Sequence, residues 1–168
     1  MCIRDRRLSN GDDKPYELNI SWWSAMEDSS RDAKRFQYER FILSQLLVMA
    51  LKGVPAFYLP ALLASENDIK SFSMTGQRRD LNREKFKSEN LLAVLNNPES
   101  NANKNLKYLR NAMDVRSELK QFHPCSQMKC LSKGRSDIVV IKRGKGPESV
   151  FAIHNMTCLL YTSDAADE

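Results

Sequence analysis

The chain has 168 residues, a length that suits one domain or parts of two. Its hydrophobic content of 42% and charged content of 28% are typical of a soluble globular protein, and no apolar run reaches the ~20 residues of a membrane span, so we expect no membrane partner. The net charge is +5, but lysine and arginine are scattered without a long basic run, so we also expect no nucleic-acid partner.

The first third of the chain is predicted to hold a long helix between two extended segments. Residues 10–15 are polar and rich in turn formers, which predicts a loop. Residues 16–23 predict an extended segment that could lie over the mouth of a barrel, and the alternative for Trp22 and Trp23 is packing in a core. Apolar residues repeat at three- and four-residue spacing over 31–52, which predicts a helix that Gly53 ends. The short apolar and aromatic stretch 54–59 then predicts a buried strand.

A long loop is predicted over residues 60–87, directly after that strand. Barrels of parallel strands place their chemistry just past the carboxyl ends of the strands, and long loops in compact domains are usually functional. The loop is therefore a candidate site. Its charged residues include Glu66, Asp68, Arg78, Arg79, Asp80 and Arg83. Helices are predicted to follow over 88–96 and 102–122, where apolar residues recur on one helical face.

The pattern changes to β-structure after Pro124. Short β-prone runs at 129–131, 137–143 and 149–155 predict strands, and Lys145-Gly146-Pro147 predicts a hairpin turn between the last two.

No cofactor and no metal site are predicted. Cys125 and Cys130 form a C-x4-C spacing without a second pair, so a metal would lack ligands, and we expect free thiols of a cytoplasmic protein. His123 and His154 are interpreted as structural, since neither stands in a catalytic arrangement.

Several short motifs occur in a fixed order between about Asn10 and Asn155. They are the run from Lys14 to Met26, Gly53-Val54-Pro55 with Tyr58, Ser65-Glu66-Asn67-Asp68, Arg79-Asp80-Leu81-Asn82-Arg83, and Phe122-His123-Pro124. Together they resemble sucrose phosphorylases and their glucosylglycerate phosphorylase relatives, which belong to the α-amylase superfamily. Each motif is weak alone, whereas the ordered set is specific.

The resemblance implies an α/β fold that is only part of a larger one. Residues 10–122 are expected to be the C-terminal portion of a (β/α)8 TIM-type barrel, and residues 123–157 the beginning of an all-β C-terminal domain, a β-sandwich. A complete barrel needs about 250 residues, so this chain is too short to hold one. Residues 1–9 and 158–168 resemble translated sequencing-adapter sequence, and we interpret them as non-native ends.

The resemblance also assigns roles to two groups of residues. Arg79 matches the family arginine that hydrogen-bonds the bound glucosyl unit, a role that suits a planar guanidinium. The alternative is a surface arginine paired with Asp80 or Glu84. In the same family, the positions of Lys14, Pro15, Tyr16 and Glu17 form a mobile loop that faces phosphate and acceptor in turn.

Two departures in that loop bear on the acceptor. Sucrose phosphorylases have Asp where this chain has Lys14 and Gln where it has Glu17, which suggests an acidic acceptor such as a glycerate-linked glucoside. The alternative for Lys14 is a solvated loop residue. Asn82 and Arg83 are expected to pin the candidate loop to the fold, with Asp80 in support, and Asp68 could bind substrate or be structural.

The predicted function is that of a fragment of a retaining glucoside phosphorylase. Its partners would be an α-glucoside such as sucrose or glucosylglycerate and inorganic phosphate, and the full-length parent could be a homodimer. A reaction that retains the anomeric configuration needs two carboxyl groups about 5 Å apart. No Asp or Glu here stands in the family's catalytic motifs, so the chain alone is expected to be inactive. The alternatives are a fragment of an α-amylase-type glycoside hydrolase, or an unrelated small basic helical binding protein.

Overall fold

The computed structural model describes residues 2–7, 12–27, 36–132 and 134–157, which separate into two compact units. The first comprises Met1–Ser44 with Ala56–Met113, and the second comprises Gln45–Pro55 with Asp114–Glu168. The predicted start of the long helix at 31–35 and the whole of 158–168 lie outside the described residues. The predicted domain boundary at 122/123 and the interpretation of the two ends remain predictions.

The described residues form eleven helices and strands, with shorter 3-10 turns between some of them. They are β1 Cys2–Arg7, β2 Asp13–Asn19, α1 Trp22–Ala25, α2 Gln37–Ala50, α3 Leu59–Leu62, α4 Ile69–Thr75, α5 Ser88–Asn96, α6 Asn101–Glu118, β3 Met128–Cys130, β4 Ile138–Arg143 and finally β5 Val150–Asn155 as an eleventh; the 3-10 turns are Arg78–Asn82, Lys120–Phe122 and Gly146–Glu148.

Strands β1 and β2 form an antiparallel hairpin in the first unit. The register shifts between Arg4, which faces Glu17, and Asp5, which faces Pro15, so that Tyr16 is passed over. The prediction of a loop through residue 15 was therefore wrong, because the strand already begins at Asp13. Residues 2–7, which belong to the segment interpreted as a non-native end, supply the backbone partners that make 13–19 a strand.

The predicted buried strand at 54–59 is also wrong. Residues 54–58 have neither helical nor strand structure, Val54 and Tyr58 are 80% and 55% exposed, and Leu59 already begins α3. A strand exists only through hydrogen bonds to a neighbouring strand, and no other described residue pairs with this stretch. Pro60 lies in the first turn of α3, a position where its missing N–H costs nothing.

The predicted loop 60–87 contains two helices and a 3-10 turn, which corrects its assignment as loop. Helix α4 begins at the N-cap Asp68 and ends at Gly76, which has a left-handed φ of 67°. Both are preferred capping residues and together mark a seven-residue helix. The helix predicted at 88–96 is confirmed as α5, whereas the helix predicted to end at 122 ends at Glu118 and is followed by the turn Lys120–Phe122.

The core of the first unit forms around Trp23. Its ring packs edge-on against Phe41 at a centroid distance of 5.2 Å, with Ala61 and Ala64 beside it. Gln37 Nε2 donates to the Trp23 carbonyl at 3.0 Å, so the polar group at the start of α2 is satisfied. The alternative of a buried tryptophan pair holds for Trp23 alone, since Trp22 is 42% exposed.

The second unit contains the antiparallel sheet β3-β4-β5. All three strands lie within one residue of the predicted bounds at each end, and the turn at Lys145-Gly146-Pro147 lies in the connection between β4 and β5. The β-prone run from Ile138 to Ile141 explains this agreement, because the whole run pairs with β5 and its last residue also pairs with β3. His154 is buried in β5, and burial lowers the pKa of its imidazole.

Two arginines in the second unit satisfy the carbonyl groups at the end of α2. Arg143, which is fully buried, donates to the carbonyls of Ala50 at 3.0 Å and Leu51 at 2.6 Å. Arg116 donates to the carbonyls of Met49 and Gly53. Burial, and after it the charge of Arg116, lowers the pKa of Arg143. The last turn of a helix leaves its carbonyls without partners, and here two cations fill that need.

Candidate functional site

The structure brings together two of the residues predicted to bind substrate. Arg79 Nη2 donates to Glu17 Oε2 at 3.4 Å, although 62 residues separate them. Arg79 lies in the 3-10 turn Arg78–Asn82 and Glu17 lies in β2, so the contact joins these two elements. The partner of Arg79 is thus Glu17, where the alternative from sequence was Asp80 or Glu84. The side chains are 47% and 25% exposed, so the pair faces solvent.

Lys14, Pro15 and Tyr16 lie in β2 next to Glu17, which corrects their prediction as a mobile loop. In the hairpin register Lys14 is opposite Arg6 and Pro15 opposite Asp5, and the shift falls at Tyr16. An extra residue of this kind locally bends and twists a strand, and such irregularities are frequent beside active sites. The backbone therefore places these four consecutive residues, 14–17, in one strand that spans the register shift.

Asp80 has a structural contact. Thr75 Oγ1 donates to Asp80 Oδ2 at 2.7 Å and to the Ser71 carbonyl at 3.0 Å, so the carboxylate is tied to the last turn of α4. The backbone adds a second tie, because the Asp68 N–H donates to the Leu81 carbonyl at 2.8 Å. The 3-10 turn that carries Arg79 is therefore hydrogen-bonded to α4 at both ends of that helix.

Asn82 and Arg83 differ in their surroundings. Asn82 Oδ1 is buried and meets no hydrogen-bond donor among the described residues, whereas Arg83 is exposed and its N–H donates to the Asp80 carbonyl at 3.4 Å. The predicted role of pinning the loop thus falls in this structure to Asp80 and the backbone of Leu81.

Asp68 is the N-cap of α4. Its carboxylate accepts from the Ser71 N–H at 2.8 Å and from Ser71 Oγ at 2.5 Å. Both hydrogen bonds lower the pKa of Asp68, and the bond from the hydroxyl group has the larger effect. Of the two roles left open by the sequence, the geometry supports the structural one.

We expect Asp68→Ala to lower the free energy of unfolding at pH 7 by about 1 kcal/mol, the usual cost of losing an N-cap. A carboxyl group whose pKa is lower in the folded state stabilises above its unfolded pKa, near 4, and this contribution is lost as pH falls through the folded pKa. Urea unfolding followed by tryptophan fluorescence at pH 7 and at about pH 2.5 measures both effects. Asp68→Asn is the control, since its amide keeps the cap without titrating. An equal acid-induced loss in the unchanged chain and in Asp68→Asn would contradict this assignment.

The sequence did not indicate that Asn67, Ser21 and Ser24 hold two distant segments together. Asn67 Oδ1 accepts from the Ser21 N–H at 2.7 Å, and the Asn67 N–H donates to Ser24 Oγ at 3.1 Å. These bonds tie the residues after β2 to the segment before α4. Asn67 and Ser21 both lie within motifs that carry the family resemblance. A contact across 46 residues, however, produces no periodic pattern in the sequence from which it could be predicted.

A mostly apolar pocket of about 420 Å³ lies in the same unit. Its walls come from α1, the start of α3 and the residues that flank β2 and the 3-10 turn. The principal lining residues are Ser21, Trp22, Met26, Tyr58, Ala61 and Asn82. Ligand pockets typically have this size and this mixture of apolar walls with few polar groups.

The described part of the chain holds neither a metal-binding cluster nor a membrane-spanning helix. No group of three or more His, Cys, Asp or Glu side chains there could hold a metal ion. None of the helices described is both long enough and apolar enough to cross a membrane. Cys125 and Cys130 are exposed and not joined in a disulfide.

Comparison with known proteins relates the chain to one group of enzymes. It is 31% identical over 144 residues to a glucosylglycerate phosphorylase from Allomeiothermus silvanus, which covers 85% of this chain and 26% of that protein. It is 27% identical over 96 residues to a sucrose phosphorylase from Streptococcus mutans, covering 57% of this chain and 18% of that protein. The chain therefore spans about a quarter of the length of these relatives, or less. No family model matches it.

The three-dimensional structure is also similar to that of an enzyme in this group. The crystal structure of a sucrose 6F-phosphate phosphorylase from Thermoanaerobacter thermosaccharolyticum superimposes with a TM-score of 0.63 at 17% identity, over 88% of this chain and 26% of that one. Enzymes of that type have a (β/α)8 barrel and a C-terminal domain, and the helices and sheet described above correspond to part of this architecture, which confirms the predicted fold class. By sequence and by fold, the chain therefore fits the subfamily of sucrose and glucosylglycerate phosphorylases, as a partial chain.

Proposed function

We propose that the chain forms part of the substrate-binding wall of a retaining α-glucoside phosphorylase, which transfers a glucosyl unit to inorganic phosphate and gives α-glucose 1-phosphate. The contact between Arg79 and Glu17 carries this proposal. It unites the residue matched to glucosyl binding with a residue of the segment matched to phosphate and acceptor binding. The relatives named above supply the reaction class.

Arg79 suits a glucosyl unit because its guanidinium presents five N–H donors in a fixed plane. Glu17 accepts from Nη2 through a single oxygen at 3.4 Å, and 47% of the arginine side chain is exposed. The carboxylate orients the guanidinium, and the exposed edge remains available to sugar hydroxyl groups. In this role Glu17 is a positioning residue for Arg79.

The acceptor is proposed to be acidic. Lys14 places a positive charge in the strand that also holds Glu17, close to the register shift at Tyr16. A cation there favours an anion, which could be inorganic phosphate in one half-reaction and a glycerate-type acceptor in the other.

The catalytic carboxyl groups are proposed to come from outside this chain, so that the chain alone is inactive. The complete enzyme would be cytoplasmic and could be a homodimer. Residues 10–122 would contribute to its barrel, and residues 123–157 would begin its C-terminal domain.

A chimaera tests the proposal directly. The segment of the Allomeiothermus silvanus protein that aligns with this chain is replaced by this chain's residues, and product is measured from glucosylglycerate and from sucrose with and without phosphate. We expect phosphate-dependent release of glucose 1-phosphate from the chimaera and none from this chain alone. Release of free glucose that is independent of phosphate would favour the hydrolase alternative, and turnover by the isolated chain would overturn the assignment of catalysis to other segments.

A further inference from the structure

One hydroxyl group contacts the 3-10 turn that carries Arg79 at two points. Thr75 is the last residue of α4, and its Oγ1 accepts from the Gln77 N–H at 3.1 Å. The same hydroxyl donates to Asp80 Oδ2 at 2.7 Å. Gln77 is the N-cap of the turn, and Asp80 directly follows Arg79 in it. Arg79 therefore lies between the two residues that the Thr75 hydroxyl holds.

The bond from Thr75 to Asp80 is the stronger of the two that this hydroxyl can donate. A hydroxyl group has one proton, and its other acceptor is the Ser71 carbonyl at 3.0 Å. The Asp80 carboxylate is closer and charged, so it attracts the proton more strongly. The turn also closes on itself, because the Asp80 N–H donates to the Gln77 carbonyl at 3.0 Å. Thr75 thus attaches both ends of a closed turn to the end of α4.

The Arg79 side chain is restrained weakly by comparison. Among the described residues it makes a single hydrogen bond, at 3.4 Å to Glu17, and 47% of the side chain is exposed. A binding group has to be held to within about 0.5 Å by its supporting neighbours to act well. A long side chain with one lateral contact follows its backbone, so the place of the guanidinium depends on the place of the turn.

We propose that Thr75 is a positioning residue for glucoside binding, which acts on Arg79 through Asp80 and the backbone of the turn. The inference rests on the proposed function, because it takes Arg79 as the contact to the glucosyl unit. Thr75 acts in this role without touching the sugar. Since Arg79 binds the substrate and the transition state alike, loss of the Thr75 hydroxyl should raise KM and leave kcat nearly unchanged.

Thr75→Val tests the inference, because it keeps the branched shape of the side chain and removes the hydroxyl. In the full chain, NMR should show faster hydrogen exchange of the Gln77 amide, which loses its acceptor. In the chimaera, KM for the glucoside should rise about threefold, and Thr75→Ser should restore it, since serine retains the hydroxyl. Ser117→Ala is the matched control. The Ser117 hydroxyl donates to the Asp114 carbonyl near the end of α6, and its loss should change neither quantity.

A double-mutant cycle with Arg79→Ala separates positioning from a general effect on the fold. If Thr75 acts through Arg79, Thr75→Val should cause no further rise in KM once Arg79 is alanine. Where Arg79→Ala raises KM, three results would overturn the inference and leave the sugar contact in place: an equal rise from Thr75→Val in both backgrounds, no rise in either, or unchanged exchange at Gln77. If Arg79→Ala itself leaves KM unchanged, the proposed sugar contact fails, and the inference fails with it.

Discussion

Arg79→Ala in the chimaera should lower kcat/KM for the glucoside by at least about tenfold, because hydrogen bonds from a charged donor contribute roughly 1.5–3 kcal/mol each. The bonds to the glucosyl unit persist from the bound substrate to the transition state, so their loss is expected to raise KM and to leave kcat nearly unchanged. Initial rates of glucose 1-phosphate release over a range of glucoside concentrations give the two parameters.

Arg78→Ala is the matched control for this result. Arg78 is the neighbouring residue in the same 3-10 turn and is also exposed, but the contact with Glu17 belongs to Arg79. Arg78→Ala should therefore lower kcat/KM far less than Arg79→Ala does. Glu17→Gln should be intermediate, since the amide oxygen still accepts from Arg79 but without charge assistance. Equal losses at Arg78 and Arg79 would show that the wrong arginine has been assigned to the sugar.

Arg143→Met should lower the free energy of unfolding of the second unit by about 3–5 kcal/mol, because several buried carbonyl groups lose their donor at once. Besides the carbonyls of Ala50 and Leu51, Arg143 reaches the His123 carbonyl through Nη2 at 3.0 Å. Its guanidinium also lies 5.3 Å from the centroid of the Phe122 ring. A loss of this size is a large part of the 5–15 kcal/mol that is typical of a whole domain.

Lys142→Met controls for the loss of a cation from the same strand. Lys142 is the preceding residue of β4, and its side chain points to the opposite face, where its ammonium lies 5.8 Å from the Phe151 ring. Its substitution should change stability by less than about 1 kcal/mol. Hydrogen exchange of the amides in β4, β5 and the end of α2 measures both variants by region. Equal protection in Arg143→Met and Lys142→Met would contradict the assigned role of Arg143.

The parts of the fold that the sequence predicted well are those determined by short-range pattern. The run Ile138-Val139-Val140-Ile141 has strong β-propensity and turn residues on both sides, so β4 and its hairpin to β5 were predicted to within one residue. Helix α5 likewise follows from its own apolar spacing.

The errors came from structure that depends on distant partners or on caps. The stretch 54–59 has the composition of a strand, yet pairing decides whether a strand forms, and composition does not show which partner is present. Residues 69–75 were predicted as loop although they form α4, because the prediction did not use Asp68 and Gly76 as the start and stop signals of a helix.

The family resemblance named the candidate site residues, and their role in binding stays a prediction, but it did not give their geometry. The resemblance placed Arg79 and Glu17 in one site, and the structure brings them together. Their mutual hydrogen bond could not be read from the chain, since residues 62 positions apart give no periodic signal. The same holds for the pocket, whose walls come from separate segments.

The double arginine cap on α2 has a consequence for the order of events during synthesis and refolding. The donor at position 143 lies 93 residues after its acceptor at Ala50, so closing this contact requires a very long chain loop. A nascent chain that ends before β4 already contains Arg116 but leaves the carbonyls of Ala50 and Leu51 to water. The C-terminal end of α2 therefore acquires its native protection late, only after the hairpin that carries Arg143 has formed.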